Sequence, residues 1–500
     1  MEDSGQGCTQ PEARIKTPLG PWRYTHAAAA PFDRSSCDNA APLLGMPATL
    51  PGLRLYPAFV PALLRVWNRV SRLWRCEAEK TKMAGAWKSS VSDETATTSS
   101  NGEQRGHNPR RHGDGDNSCI YLDLAPIQGL GHNPYIYRIS PTHLRATTSL
   151  PDFITLGVVC MTLNHRMHRI RDQSHCRDLT ETYYRFRASV IRSLNESINI
   201  ESRRTTDIVV AGILTLLLID AQRGDSTGWR WHIEAARRII MLRGGFLTAA
   251  RSKALKPLLL VFLCILVIGN TTSSSSDLAI ASPHCDELKY VLGQTGCAIS
   301  PFQMCPPLLF VEVLKINRLR MRAVKHEPNQ AEALQQEGYK VLDCIYNFSP
   351  EEWGETMPSS REDWKLLGNV YQLAVTVYCI SSLQSLSVLP LAPSLRAQCI
   401  SHGQLLRVLL EKALLSPRLK RFMTWPLVVL GVEVVHGVAM QLFVKKQLVE
   451  MSSHIGSYGP LMAKAVLERF WYSGETNWDA CFDRPYLFTT QVSVDMSGIL

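Results

Sequence analysis

The pentapeptide Gly224-Asp225-Ser226-Thr227-Gly228 matches Gly-x-Ser-x-Gly, the nucleophile elbow of serine hydrolases. Such an elbow holds its serine on a strained corner, with a strand running directly into the turn and a helix leaving it. Here Asp220-Ala221-Gln222-Arg223 separates the turn from the preceding apolar run, that run reads as helical, and no parallel sheet is in view. Asp225, Ser226 and Thr227 are therefore read as helix caps, whose side-chain oxygens accept from unpaired backbone N–H groups. His165 and His168, with Cys160 and Cys176 nearby, carry metal-ligand chemistry. Zinc needs four ligands converging tetrahedrally, whereas an i, i+3 His pair flanked by Arg166 and Arg169 reads as a solvated polar face. His232 is the third candidate. Acid–base work would need a partner acid or nucleophile, and none is identifiable from the sequence, so the imidazole is expected to hydrogen-bond at a helix–helix contact beside Trp229. Phosphate-cradling glycine loops, dinucleotide fingerprints and paired carboxylates in a catalytic setting are absent from the sequence. The expectation is no enzyme, no catalytic or metal residue, no cofactor, and no assignable DNA-binding residue.

The elements that would position these residues are helices. Between the caps and Gly244-Gly245, Trp229, Ile233, Ala236 and Ile240 recur on one face. The glycines suit the left-handed ending of a helix, and Arg237, Arg238 and Arg243 sit where cations favour the helix dipole. Thr205–Asp220 is nearly all apolar and reads as a central buried helix, making an antiparallel hairpin with the segment after it. Phe153–Arg171 and Leu179–Asn195 precede it; Pro257–Gly269 is another buried helix, and the TTSSSS run behind it reads as a flexible loop. Further helices are predicted over Leu308–Arg322, with Leu309, Val313 and Ile316 inward and a basic end at Arg318, Arg320 and Arg322, and over Ala331–Tyr346. Ser359 and Glu362 look like a capping box ahead of a stripe of Trp364, Leu367, Tyr371, Ala374 and Tyr378. His402–Leu415 follows, then a long helix opened by Pro426 with Leu427, Leu430, Val434, Val438 and Leu442 aligned, and a last one over Leu461–Tyr472. Period-two alternation is confined to Phe488–Met496.

The fold class expected is all-α: one large domain of stacked antiparallel helices over 150–500, behind a largely disordered N-terminal region over 1–149 that is rich in Pro, Gly, Ser, Thr, Arg and Asn. Within that region Leu63, Trp67, Val70 and Trp74 oppose Arg65, Arg69, Arg72 and Arg75, a basic amphipathic helix near 62–80. It docks its Trp side on the main domain, or serves nucleic-acid contact, nuclear import or a membrane surface; Pro109-Arg110-Arg111 is a second import candidate. Two copies of Gly-His-Asn-Pro, from Gly106 and Gly131, make no repeat architecture.

Composition is ordinary: 500 residues, 45% hydrophobic, 20% charged, and a net charge of +10 spread along the chain. Its 14 cysteines contain no Cys-x-x-Cys pair, and no secretory signal is visible, so reduced core thiols are expected and the sequons at Asn195, Asn270 and Asn347 carry no glycan. The apolar runs Ile208–Ile219 and Leu258–Ile268 fall short of the ~20 residues that a bilayer crossing needs.

Trp229, His232, Ala236 and the Arg243-Gly244-Gly245 ending resemble the signature helix in the regulatory domain of fungal zinc-cluster transcription factors, with Ala235 where that family usually has glycine. The resemblance continues in order. It includes Ile316, Leu319 and Arg320; Trp364, Tyr371, Ala374 and Tyr378; Trp425-Pro426-Leu427 with Leu430-Gly431 and Glu433; Trp471; and Arg484-Pro485-Tyr486. It implies a nuclear transcriptional regulator of a metabolic or secondary-metabolite gene cluster. In that family a six-cysteine binuclear zinc cluster reads DNA, and Cys8, Cys37, Cys76 and Cys119 are too far apart to build one. The resemblance thus implies DNA contact only indirectly or through a partner transcription factor, a homo- or heterodimer, a small-molecule effector, and no membrane. The alternative is a helical small-molecule sensor or scaffold outside transcription.

Overall fold

The structure, a computed structural model, describes residues 125–130, 150–169, 173–224, 228–252, 255–278, 305–325, 330–357, 359–434 and 437–489. The basic helix near 62–80, the import candidates, the Gly-His-Asn-Pro copies, the four N-terminal cysteines and the caps Asp225, Ser226 and Thr227 lie outside the described residues.

Among the described residues every regular element is helical. The α-helices are α1 (Asp152–Arg169), α2 (Gln173–Asn199), α3 (Glu201–Arg204), α4 (Asp207–Arg223), α5 (Trp229–Leu242), α6 (Phe246–Ala249), α7 (Lys256–Thr271), α8 (Pro307–Val324), α9 (Ala331–Tyr346), α10 (Pro350–Glu355), α11 (Arg361–Gln384), α12 (Pro393–Leu415), α13 (Thr424–Glu433), α14 (Val438–Ile455) and α15 (Gly459–Ser473). One group gathers α1, α2 and α5 around α4, in which every residue from Val209 to Gln222 is buried. A second gathers α8, α9, α10 and α12 around α11. Between them α13, buried along its whole length, packs on α11, α12, α14 and α15, while α7 touches both α4 and α8.

The helices follow the apolar stripes, and the Trp364-to-Tyr378 stripe is wholly buried on α11. By length and composition α11 is apolar enough to cross a membrane, but 78% of its apolar window is buried against its neighbours.

Four expectations change. Ser359 and Glu362 form no capping box: the helix starts after Ser360 at φ 53, and both serine hydroxyls donate to the Gly129 carbonyl instead, at 3.4 and 2.6 Å. A side-chain cap operates one helix earlier, where Ser349 accepts from the Glu352 N–H at 3.1 Å. The long helix from Pro426 is two helices, broken after Glu433 ahead of Gly437, so Val438 and Leu442 face solvent rather than continuing the buried stripe. The described start of Phe488–Met496 is irregular, with Phe488 stacked 5.3 Å from Tyr486. The fourth change concerns the run after α7.

α7 ends inside the protein. Asn270, Thr271, Thr272 and Ser273 are all buried, so this run is not a flexible loop. A helix leaves its last four carbonyls unpaired, and a buried carbonyl without a partner costs as much as a lost hydrogen bond. Here seven consecutive carbonyls find donors. Val267 accepts from Asn317 Nδ2 at 2.9 Å, Ile268 from Thr271 Oγ1 at 2.6 Å, and Gly269 from Ser273 Oγ at 2.7 Å. Asn270 and Ser273 accept from the two terminal nitrogens of Arg320, at 2.9 and 2.8 Å. Thr271 accepts from Trp478 Nε1 at 3.0 Å, and Thr272 from the Tyr486 N–H at 3.0 Å.

Arg320 is fully buried, on the stripe of Leu309, Val313 and Ile316 rather than on a basic surface. Its planar fork also donates to Tyr378 Oη at 3.0 Å and to Asp479 Oδ1 at 2.6 Å, and Tyr378 in turn donates to Asn317 Oδ1 at 2.5 Å. Burial alone would pull the guanidinium pKa down, but the Tyr378 hydroxyl and the Asp479 carboxylate more than offset it, so the charge stays. Removing one member of a buried charge network leaves the rest uncompensated. Arg320→Met, which keeps most of the volume, is expected to lower unfolding free energy by about 3–5 kcal/mol. Urea unfolding of the purified chain followed by tryptophan fluorescence checks this; a midpoint equal to wild type would show that the network stabilises nothing.

Candidate functional site

The helix carrying Trp229 and His232 is α5. Trp229, Ile233, Ala236 and Ile240 are buried. Its carboxyl end closes with Gly244 and Gly245 at φ 91 and 93, and the Gly245 N–H reaches the Ile240 carbonyl at 3.0 Å. Arg243 pairs with Asp207 at the start of α4, where the carboxylate also favours the positive end of that helix. Arg237 and Arg238 fold back on Glu234 at 2.9 and 2.7 Å, so they serve their own helix face. Trp229 packs closely against α7: a Cβ at Gly269 would sit 2.7 Å from its ring, and only glycine leaves that space. Opposite, Trp231, Met241 and Leu242 face solvent.

His232 has a partner that the sequence did not disclose. Its Nε2 lies 2.7 Å from Asp220 Oδ2, across the hairpin from α4. The same carboxylate receives Arg187 of α2 through two bonds of 3.0 Å each, from Nε to Oδ1 and from Nη2 to Oδ2. Asp220 and His232 are almost entirely buried. Burial pushes the Asp220 pKa up, but the hydrogen bond and charge of His232 and the guanidinium of Arg187 outweigh it, and the net shift is downward. Asp220 is therefore an anion, and the imidazole nitrogen facing it carries the proton. Three helices are tied through one carboxylate.

A signal for this centre existed in the sequence. Asp220 is a lone carboxylate closing an apolar run, and Arg187 falls at helical spacing between Tyr183, Val190 and Leu194, which are all buried.

The arrangement holds rather than reacts. Cys160 beside it donates to the Tyr183 carbonyl at 3.9 Å, and burial pushes its thiol up to about 12, far from a thiolate nucleophile. Asp220 already spends both oxygens on Arg187 and His232. Ser226 lies outside the described residues, but its flanks are described: α4 runs as helix to Arg223 and α5 starts at Trp229, so the strand that an elbow requires is replaced by a helix.

His165 and His168 are not a solvated face, which corrects that expectation. His165 is buried where α1 meets the turn after α14, its ring against Gly456, and His168 lies 5.7 Å from the Tyr458 ring. Burial, with Arg223 and His165 nearby, lowers the His168 pKa to about 4, so it is neutral at pH 7. Among the described residues no three His, Cys, Asp or Glu side chains gather as a metal site.

The residues of the family resemblance have a common destination. Arg320, Trp425 and Tyr486, from three separate parts of the sequence, meet the carboxyl end of α7, and Tyr378 supports them by bonding to Arg320; Trp425 donates to Thr271 Oγ1 at 2.8 Å. Trp364 donates to the Leu130 carbonyl at 3.1 Å, tying in the turn Ala125–Leu130, and Trp471 donates to the Gly431 carbonyl at 2.8 Å. An all-helical domain closed by these residues is matched over residues 118–486 by the profile of the fungal specific transcription factor domain. The chain belongs to that family, a family of transcription regulators and not of enzymes. It is similar to the phomenoic acid biosynthesis cluster-specific transcriptional regulator of Leptosphaeria maculans, with 46% identity over 387 residues, covering 77% of this chain and 74% of that protein. No solved structure matches the chain.

The Asp220 centre makes a pH-dependent prediction. A carboxyl with a depressed folded-state pKa contributes stability that is complete above its ordinary value of 3.8 and is lost as pH falls through the lower folded value. Asp220→Asn is expected to cost about 3 kcal/mol at pH 7 and to flatten the loss of stability below pH ~4, because that titration is gone. Chemical denaturation of both proteins from pH 7 to pH 3 reads it; parallel pH profiles would show that Asp220 is not the group responsible.

Proposed function

We propose that this transcription regulator controls the genes of one secondary-metabolite biosynthetic cluster. The observation that carries the proposal is the 46% identity, over most of both chains, to a regulator whose own name specifies such a cluster. The geometry is compatible with it: Asp220 of α4 is bound by Arg187 and His232, and Arg320 of α8 by carbonyls, a phenol and a carboxylate, which ties helices together rather than building a reaction centre. Action on transcription implies action in the nucleus, and we take the protein to accumulate there. In this reading the helical domain contributes regulation, as a homo- or heterodimer responsive to a small-molecule effector and without a membrane. DNA is reached indirectly or through a partner transcription factor, since Cys8, Cys37, Cys76 and Cys119 do not have zinc-cluster spacing.

Deletion of the gene is expected to change transcripts of one contiguous biosynthetic cluster by about tenfold or more while leaving most other genes unchanged. Genome-wide transcript counting in the deletion strain and its complemented control checks this. A fluorescent fusion in the same strain should concentrate in the nucleus. Unchanged transcripts in every biosynthetic cluster, with a cytosolic fusion, would refute the proposal and favour a sensor or scaffold outside transcription.

A further inference from the structure

Helix α5 is apolar on two faces. Its inner face carries Trp229, Ile233, Ala236 and Ile240 into the core, yet the opposite face presents Trp231, Met241 and Leu242 to solvent. Among the described residues Trp231 is the only tryptophan that lies mostly in water, at 72% exposed. A helix that serves only as one wall of a domain turns charged side chains outward, so apolar residues on both sides imply a second surface to be covered. Trp231, Ala235, Arg238 and Leu242 stand at i, i+4, i+7 and i+11, one straight stripe about 16 Å long. Glu234 and Met241 border it.

The stripe is complementary to itself. Laid antiparallel on a second copy, about a two-fold axis midway along it, it sets Trp231 on Leu242 of the other copy and Glu234 beside Arg238 of the other copy. The large apolar residues fall at both ends, the opposite charges nearer the middle, and Ala235 is small enough beside the axis for the helices to approach closely. Within one chain Glu234 accepts from Arg237 and Arg238 at 2.9 and 2.7 Å, and all three side chains remain partly exposed. The carboxylate can therefore exchange one guanidinium for its counterpart across the axis without losing its charge pairing. An unrelated partner would have no reason to find opposite charges at symmetry-related places; a second copy does. We propose that α5 docks on α5 of a second copy, antiparallel and two-fold symmetric. This deepens the homodimer reading given above and rests on it for its meaning in the cell. The contact itself is measured on the purified chain, so its failure leaves the transcriptional reading standing.

Two single helices bury less than the ~800 Å² per partner of a standard interface, so the dimer is expected to be weak, with Kd on the order of 10 µM. Sedimentation equilibrium of the full-length protein from about 1 to 100 µM reads it, and the wild type should pass from monomer to dimer across that range. Trp231→Ser, present twice in each dimer, is expected to weaken association by about thirtyfold or more with an unchanged melting temperature. Glu234→Arg sets like charges across the axis, and so does Arg238→Glu; each alone should stay monomeric at about 100 µM. Their equimolar mixture restores opposite charges at both places and should dimerise within about threefold of wild-type affinity. That rescue separates the contact from a structural effect of either substitution and from dimerisation through another surface. A wild type that remains monomeric at about 100 µM would leave this face to another protein and overturn the proposal. Wild-type association of Trp231→Ser, or a mixture that associates no better than its components, would overturn it as well.

Discussion

A helix that ends in the protein interior has to be met by donors, and this requirement organises the whole domain. The carboxyl end of α7 presents carbonyls from Val267 to Ser273 where water does not reach. Two of the donors are local, Thr271 and Ser273; the others come from α8 and from the segment beyond α15. Arg320 is the most demanding of them, because a buried guanidinium costs several kcal/mol unless its charge is paired and hydrogen-bonded. Here its two terminal nitrogens make four bonds, to two carbonyls, a phenol and a carboxylate. The aromatic rings around it, Tyr378 and Trp478 at 4.9 Å and Tyr378 and Trp425 at 6.0 Å, fill the space that those bonds leave and keep water out.

Asp220 solves the same problem with the opposite sign. A carboxylate is buried in the first helical group and is matched by Arg187 and His232, as Arg320 is matched in the second. Both centres use bonds between different helices, near in sequence at Asp220 and far apart at Arg320, so each ties together helices whose apolar faces alone would tolerate several registers. Stability comes mainly from the apolar surface that α4, α11 and α13 bury. The charged centres decide which arrangement of those helices is the stable one.

The helices themselves were legible from spacing, because an apolar stripe at i, i+3 and i+4 has little other use, and the stripe from Trp364 to Tyr378 is buried as its period required. What spacing concealed was polar residues standing on those stripes. Arg320 belongs to the Leu309, Val313, Ile316 face yet reads as part of a basic end, since Arg318 and Arg322 flank it. Polar composition misled at Thr271–Ser273, because serine and threonine serve as well for pairing buried carbonyls as for exposed turns. The break after Glu433 was missed for a related reason: Val434 continues the apolar pattern through a place where the chain turns at Gly437. The His232 partner lay twelve residues upstream in plain sight, but pairing across a hairpin depends on a turn geometry that composition does not fix.

The segment after α15 has an unusual place in the life of the chain. Trp478 and Tyr486 bond to residues of α7 and its exit that are synthesised roughly 200 positions earlier. At about 5–20 residues per second, α7 leaves the ribosome on the order of 10–40 s before the residues that complete its carboxyl end exist. During that interval the nascent domain holds an apolar helix with open carbonyls, so the two parts of the chain that close this end of the domain are joined only after most of its helices have been made.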